Sequence, residues 1–175
     1  MEKDSKTESS DNNVDDHDHN KNQISFKIIV IGDSGVGKTS ITSQVIRKSF
    51  DEKHNSTIGF EFYTYDVKIE DKIIKLQIWD TCGQELYRSL ISNFYKQTSL
   101  AILVYSIDSE EYFHSLNNWV NEIKAKANPD ILFVLIGNKI DLEDEDKENR
   151  KISKEMGDEF CKDNNFSFFF FISLD

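Results

Sequence analysis

The chain has 175 residues, 38% hydrophobic and 30% charged, with a net charge of −11 at pH 7. This length suits one domain with a sizeable core, and the acidic balance argues against gripping a nucleic-acid backbone, which calls for basic patches. Cys82 and Cys161 have no metal-ligand or disulfide spacing, and no apolar run approaches the roughly 18–20 residues of a spanning helix or forms a signal-peptide core, so the expectation is a soluble cytoplasmic protein with reduced thiols.

Residues 1–23 open the chain with seven acids against three lysines. Val14 is the only aliphatic residue besides Met1 before Ile24. Such a segment cannot bury enough apolar surface to offset its ordering entropy, and it is read as a disordered acidic tail. His17 and His19, in Asp-His-Asp-His, offer weak divalent-metal binding, with a solvated tail as the plainer reading. From residue 24 to 175 the pattern is that of one domain.

Residues 26–31 form a mainly apolar run, as expected for a strand buried on both faces. Residues 39–48 are compatible with a helix. Residues 61–70 and 73–79 read as two strands joined by a tight turn, a hairpin with one strand at a sheet edge. Residues 100–107 and 131–137 are again apolar runs. Between them, residues 110–126 place Phe113, Leu116, Trp119, Val120 and Ile123 at helical spacing, read as core packing. A helical segment at 153–162 precedes a last apolar strand at 166–173. The order βαββαβαβαβ predicts a mostly parallel six-stranded sheet with one antiparallel edge strand and helices on both faces. Ligands on such sheets bind beyond the carboxyl ends of the strands.

The chemistry-bearing motifs fall at those ends. Gly32-Asp33-Ser34-Gly35-Val36-Gly37-Lys38-Thr39 fits G-x-x-x-x-G-K-[ST] between the first strand and first helix. Its glycines let backbone N–H groups line an anion nest, and the helix start adds partial positive charge. Lys38 is expected to reach the terminal phosphates and Thr39 to bind Mg²⁺. Asp33, Ser34, Gly35, Val36, Gly37 and Ser40 complete the expected phosphate contacts. Asp80-Thr81-Cys82-Gly83-Gln84-Glu85 follows a strand. There Asp80 suits a Mg²⁺ carboxylate, Gly83 can present its N–H without side-chain obstruction, and Gln84 can orient an attacking water; the plain alternative is a polar turn. In Asn138-Lys139-Ile140-Asp141, Asp141 can accept two N–H donors from one edge of guanine, a pair adenine lacks. Lys139 can lie along the base, and Asn138 can tie this loop to the phosphate loop. In Ser56-Thr57-Ile58-Gly59, Thr57 is a candidate for Mg²⁺ and a γ-phosphate.

These motifs, in this order and spacing, resemble those of Ras-superfamily small GTPases. The stretch Lys-Leu-Gln-Ile-Trp-Asp-Thr-Cys-Gly-Gln at 75–84 is similar to the Rab branch in particular. The resemblance covers residues 24–175 and implies the P-loop NTPase fold and a GTP/GDP switch with Mg²⁺ held near Thr39, Thr57 and Asp80. It implies Lys38 on the β- and γ-phosphates, Gly83 sensing the γ-phosphate, Gln84 positioning water, and Asn138, Lys139 and Asp141 reading guanine with support from Ser173 and Leu174. Effectors, an exchange factor and a GTPase-activating protein would dock near Thr57 and at residues 84–88, from Gln84 to Arg88, in vesicle-mediated transport. With no arginine placed in cis at the γ-phosphate, intrinsic turnover is expected on the order of 10⁻⁴ s⁻¹.

The sequence departs from that pattern in places. Cys82 replaces a usual alanine. Val45 stands where the family often has an aromatic ring near the base, and Asp175 where it has lysine. The last family helix and its prenylated cysteines are not seen in this sequence, so the expectation is that it supplies no lipid anchor of its own and that any peripheral membrane association is not encoded in it. This is read as a truncated form, or as a short form whose partner covers an apolar patch around Phe166, Phe168, Phe169, Phe170 and Phe171. The rival readings are a guanine-nucleotide-binding module without useful turnover and, with less support, an ATP-using P-loop kinase.

Overall fold

A computed structural model describes residues 24–48, 57–83 and 91–173. The expected tail at 1–23 lies outside them, as do Gln84, Arg88, Leu174 and Asp175. The strands are β1 (Ile24–Ile31), β2 (Phe60–Ile69), β3 (Lys72–Thr81), β4 (Leu100–Ser106), β5 (Leu132–Asn138) and β6 (Phe168–Ile172). The helices are α1 (Lys38–Arg47), α2 (Glu110–Lys126), α3 (Asp141–Glu145) and α4 (Lys154–Asn164). The expected helix between β3 and β4 falls largely outside the described residues.

The strands lie in the order β2-β3-β1-β4-β5-β6. Only β2 runs antiparallel to its neighbour, so the expected edge hairpin is the one that forms. The alternation along each strand sends side chains to opposite faces. Ile29, Ile31, Leu103 and Leu135 pack on one face against Leu116, Trp119 and Ile123 of α2 and Phe160 of α4. Ile28, Val30, Val104 and Ile136 pack on the other with Ile41 and Ile46 of α1. Both long helices after the hairpin start at serine caps: Ser109 accepts from the Tyr112 N–H and Ser153 from the Met156 N–H, satisfying donors that a helix start leaves orphaned.

The five phenylalanines at the end do not form one patch. Phe169 and Phe171 turn into the α2–α4 side and Phe166 stacks on Phe133, whereas Phe168 and Phe170 are 59% and 52% exposed. Strand alternation divides them.

Strand order reverses at β1, which has β3 on one side and β4 on the other. The loop after β1 therefore sits in the crevice where the connections diverge, the place where open α/β sheets bind ligands.

Candidate functional site

The loop after β1 turns through Gly32 to Gly37 and delivers Lys38 as the first residue of α1. Gly37 has φ +97°, and a Cβ there would lie 2.1 Å from Asn138 Nδ2. Only glycine meets both demands. The Lys38 ammonium curls back onto the Asp33 carbonyl at 2.7 Å. Lys38 is buried, and burial pulls its pKa down to about 8 against the opposing pull of Asp80, Asp33 and Cys82. A cation held in so little water interacts strongly with an arriving anion.

Three oxygens converge beside it. Thr39 Oγ1 donates to Asp80 Oδ2 at 2.6 Å and lies 2.7 Å from Thr57 Oγ1. The Thr39 proton is committed to Asp80, so Thr57 donates to Thr39. Asp80 is fully buried, and its Oδ1 has no hydrogen-bond partner among the described residues. A buried unpaired carboxylate oxygen is costly, and the donor set of two hydroxyls and a carboxylate is the hard-oxygen chemistry that Mg²⁺ takes. These residues fit that ion.

Burial raises the Asp80 pKa to about 6, with the Thr39 hydrogen bond and Lys38 opposing. The fold therefore binds this proton more tightly than the unfolded chain does. Between about pH 4 and pH 6 the unfolded state releases the proton first, so the stability of the nucleotide-free, metal-free chain falls across that window by on the order of 3 kcal/mol from this group. Denaturant unfolding of the wild type and Asp80→Asn at pH 4, 5, 6 and 7 checks this. Their stability difference should change over the window and level off above pH 6.

Gly83 lies against the phosphate loop. A Cβ there would come within 2.3 Å of Asp33 C and Ser34 N and 2.4 Å of Asp33 O. These are backbone atoms that cannot swing aside. Gly83→Ala should cost about 2–3 kcal/mol of stability, seen as a lower urea midpoint.

A second loop follows β5. Asn138 pairs within the sheet with Ser106 and Ile172, and its Nδ2 donates to Val36 O at 2.9 Å. Its Oδ1 is buried without a partner among the described residues. Lys139, at φ +66°, turns the chain so that Asp141 opens α3. Ser173 Oγ, just past β6, donates to Asp141 Oδ1 at 2.9 Å.

The structure thus gathers Lys38, Thr39, Thr57, Asp80 and Gly83 around the phosphate loop, and Asn138, Asp141 and Ser173 at the ends of β5 and β6. Ser34 and Gly35 stay exposed, while Ser40 is buried in α1. Gln84 and Leu174 lie outside the described residues. Val45 is 49% exposed on α1, about 10 Å along the axis from Lys38 at ~1.5 Å per residue. Cys82 is buried, and its N–H donates to Gly59 O at 2.9 Å.

Three contributors escape sequence reasoning. Thr81 Oγ1 donates to Val30 O at 2.8 Å, fastening the end of β3 to β1. Arg150 pairs with Glu143 at 2.6 Å and covers the Phe171 ring at 4.7 Å, joining α3 to β6. Trp119, expected only as core, donates its indole N–H to Asp33 Oδ1 at 3.1 Å. For Trp119 a signal existed, because a buried indole N–H usually finds a partner.

Sequence comparison covers the same span as this geometry. Residues 27–173 match the Ras family. The chain is similar to Ras-related protein RABG3f of Arabidopsis thaliana, 42% identical over 140 residues, which are 78% of this chain and 67% of that protein. It is similar to Ras-related protein Rab7 of Pisum sativum, 46% identical over 122 residues, 67% of this chain and 59% of that protein. It is also similar to the Ypt/Rab-type GTPase ypt7 of Schizosaccharomyces pombe, 38% identical over 141 residues, 78% of this chain and 67% of that protein. The chain therefore spans between 59% and 67% of the length of these curated relatives.

Proposed function

We propose that this chain, which belongs to the Ras family and to its Rab branch, works as a switch that binds GTP and GDP in a domain over residues 24–175 and hydrolyses GTP. The observation that carries this reading is the Asn138–Val36 hydrogen bond. It couples a loop suited to guanine directly to a loop suited to phosphate, so one ligand with both parts spans them.

On this reading Lys38 pairs with the β- and γ-phosphates, and backbone N–H groups from Asp33 to Ser40 line the phosphate nest. Thr39, Thr57 and Asp80 hold Mg²⁺, which when bound neutralises charge developing on the phosphate oxygens. Gly83 offers its N–H to the γ-phosphate, and Gln84 orients the attacking water. Asp141 accepts from the guanine edge while Ser173 fixes its rotamer, Lys139 lies along the base, and Leu174 supports it.

GTP orders the segments carrying Thr57 and residues 84–88, and loss of the γ-phosphate releases them. Effectors, an exchange factor and a GTPase-activating protein read those segments, and the Rab branch points to vesicle-mediated transport on the cytoplasmic side. No helix among the described residues is long and apolar enough to cross a membrane.

The test is binding of fluorescent GDP with Mg²⁺, competed by GTP and ATP, followed by single-turnover hydrolysis. Displacement by GTP alone supports the guanine site, and turnover that Gln84→Leu slows supports the switch. Firm GTP binding without any turnover would favour a binding module. Displacement by ATP would overturn the guanine reading.

A further inference from the structure

The phosphate loop is held from a side that its motif does not mention. The Asp33 carboxylate reaches away from the loop to α2, where Oδ1 accepts the Trp119 indole N–H at 3.1 Å and Oδ2 accepts the Ser115 hydroxyl. Ser115 and Trp119 are four residues apart on one helix, so they stand one turn above the other on the same face. They present two donors to the two oxygens of one carboxylate. The Ser115 proton has an alternative acceptor in Tyr112 O at 2.9 Å, but a carboxylate is the stronger partner. Trp119 is fully buried, and α2 is anchored by Leu116, Val120 and Ile123, which are also buried.

The same residue is fixed on its main chain. Its carbonyl accepts Lys38 Nζ, and Gly83 lies against the Asp33–Ser34 peptide. The next residues, Ser34 and Gly35, are exposed, and Gly35 has φ +78° with open space around its Cα. Among the described residues no side-chain hydrogen bond is made to Ser34 or Gly35. Anchoring Asp33 at its root is what sets the direction of the N–H groups that follow.

We infer that Ser115 and Trp119 are positioning residues for the phosphate loop, forming through Asp33 a two-pronged clamp that sets how long a nucleotide stays bound. The inference rests on the nucleotide-switch reading and names a control within it. A loop already ordered before binding loses less freedom on binding, and a released clamp returns that cost to the complex. Such losses show mainly in the dissociation rate.

The experiment measures release of fluorescent GDP with Mg²⁺ from the full chain, beside the melting temperature of each variant. Trp119→Phe and Ser115→Ala each should speed release several-fold, and the pair about tenfold to a hundredfold. Asp33→Ala should speed release at least as much as the pair, and its effect in the pair background should be much smaller than in the wild type, because the shared interaction is already gone. Asp33→Asn keeps an acceptor for the indole and a donor for the Ser115 oxygen, and it should recover most of the slow release. Val120→Ala, a cavity on α2 away from Asp33, should lower the melting temperature with little change in release.

The clamp is overturned if the folded pair variant releases GDP at the wild-type rate, if Val120→Ala speeds release as much, if Asp33→Ala adds fully to the pair, or if Asp33→Asn is as fast as Asp33→Ala. A folded wild-type chain that binds no GDP would overturn the switch reading, and this inference with it. Normal wild-type binding with unaltered release in the variants overturns the inference alone.

Discussion

Lys38→Met should lower GDP affinity by about 10²- to 10³-fold, or ~3–4 kcal/mol, while leaving the nucleotide-free chain at least as stable as before. The opposite signs follow from one fact. The ammonium is buried and its pKa is pulled down to about 8, so the empty fold bears the cost of desolvating a charge whose only hydrogen bond described is to the Asp33 carbonyl. Methionine keeps the apolar stem and removes that cost. It also removes the cation that phosphate would meet in a low-dielectric setting, where such a pair is strong. Calorimetric titration with GDP and urea unfolding without nucleotide read the two effects separately. A variant that lost stability and affinity together would show instead that Lys38 is mainly structural.

Asp141→Asn should weaken GDP binding by about 10²- to 10³-fold and improve xanthosine diphosphate binding relative to it. A carboxylate accepts two N–H groups from the guanine edge, whereas an amide offers one acceptor and one donor. The donor then opposes the exocyclic amine, leaving a polar group unpaired at the site, worth about 3 kcal/mol or more. Xanthine carries a carbonyl at that place and accepts from the amide. Ser173 constrains the outcome, since its hydroxyl holds Asp141 Oδ1 at 2.9 Å and can hold an amide oxygen equally. Competition titrations with the two diphosphates give the ratio directly. An unchanged ratio would remove Asp141 from base selection.

What the sequence made legible was local. The phosphate loop from Gly32 to Thr39 and the Asn138–Asp141 stretch are contiguous, and each follows a run apolar enough to read as a buried strand. The core face of α2 was legible because Phe113, Leu116, Trp119, Val120 and Ile123 repeat at helical spacing. What stayed hidden depends on residues far apart in the chain. Trp119 meets Asp33 across 86 positions, and no periodicity records the direction of an indole N–H. β1 begins at Ile24, before the apolar run, because its ladder with β3 extends to Ile24 opposite Ile74. Asn138 reads as loop, yet pairs with Ser106 and Ile172 as a strand end. The short α3 was unreadable because its five residues, Asp141–Glu145, are mostly acidic, and its hold on the domain comes through distant residues, Arg150 on Glu143 and Ser173 on Asp141.

The place of β1 between β3 and β4 also bears on how the chain is made. β1 and its phosphate loop are synthesised before the rest of this sheet, but β1 has no strand to pair with until residues 72–81 and 100–106 exist. At ~5–20 residues per second, the interval from Ile31 to Ser106 lasts about 4–15 s. Through it, one of the most apolar segments of the domain waits without a sheet. The pairing that ends the wait is non-local and therefore slow. A nascent chain should acquire GDP binding abruptly, only after β5 has left the ribosome with Asn138 at its end. Ribosome-stalled chains of increasing length would show that step.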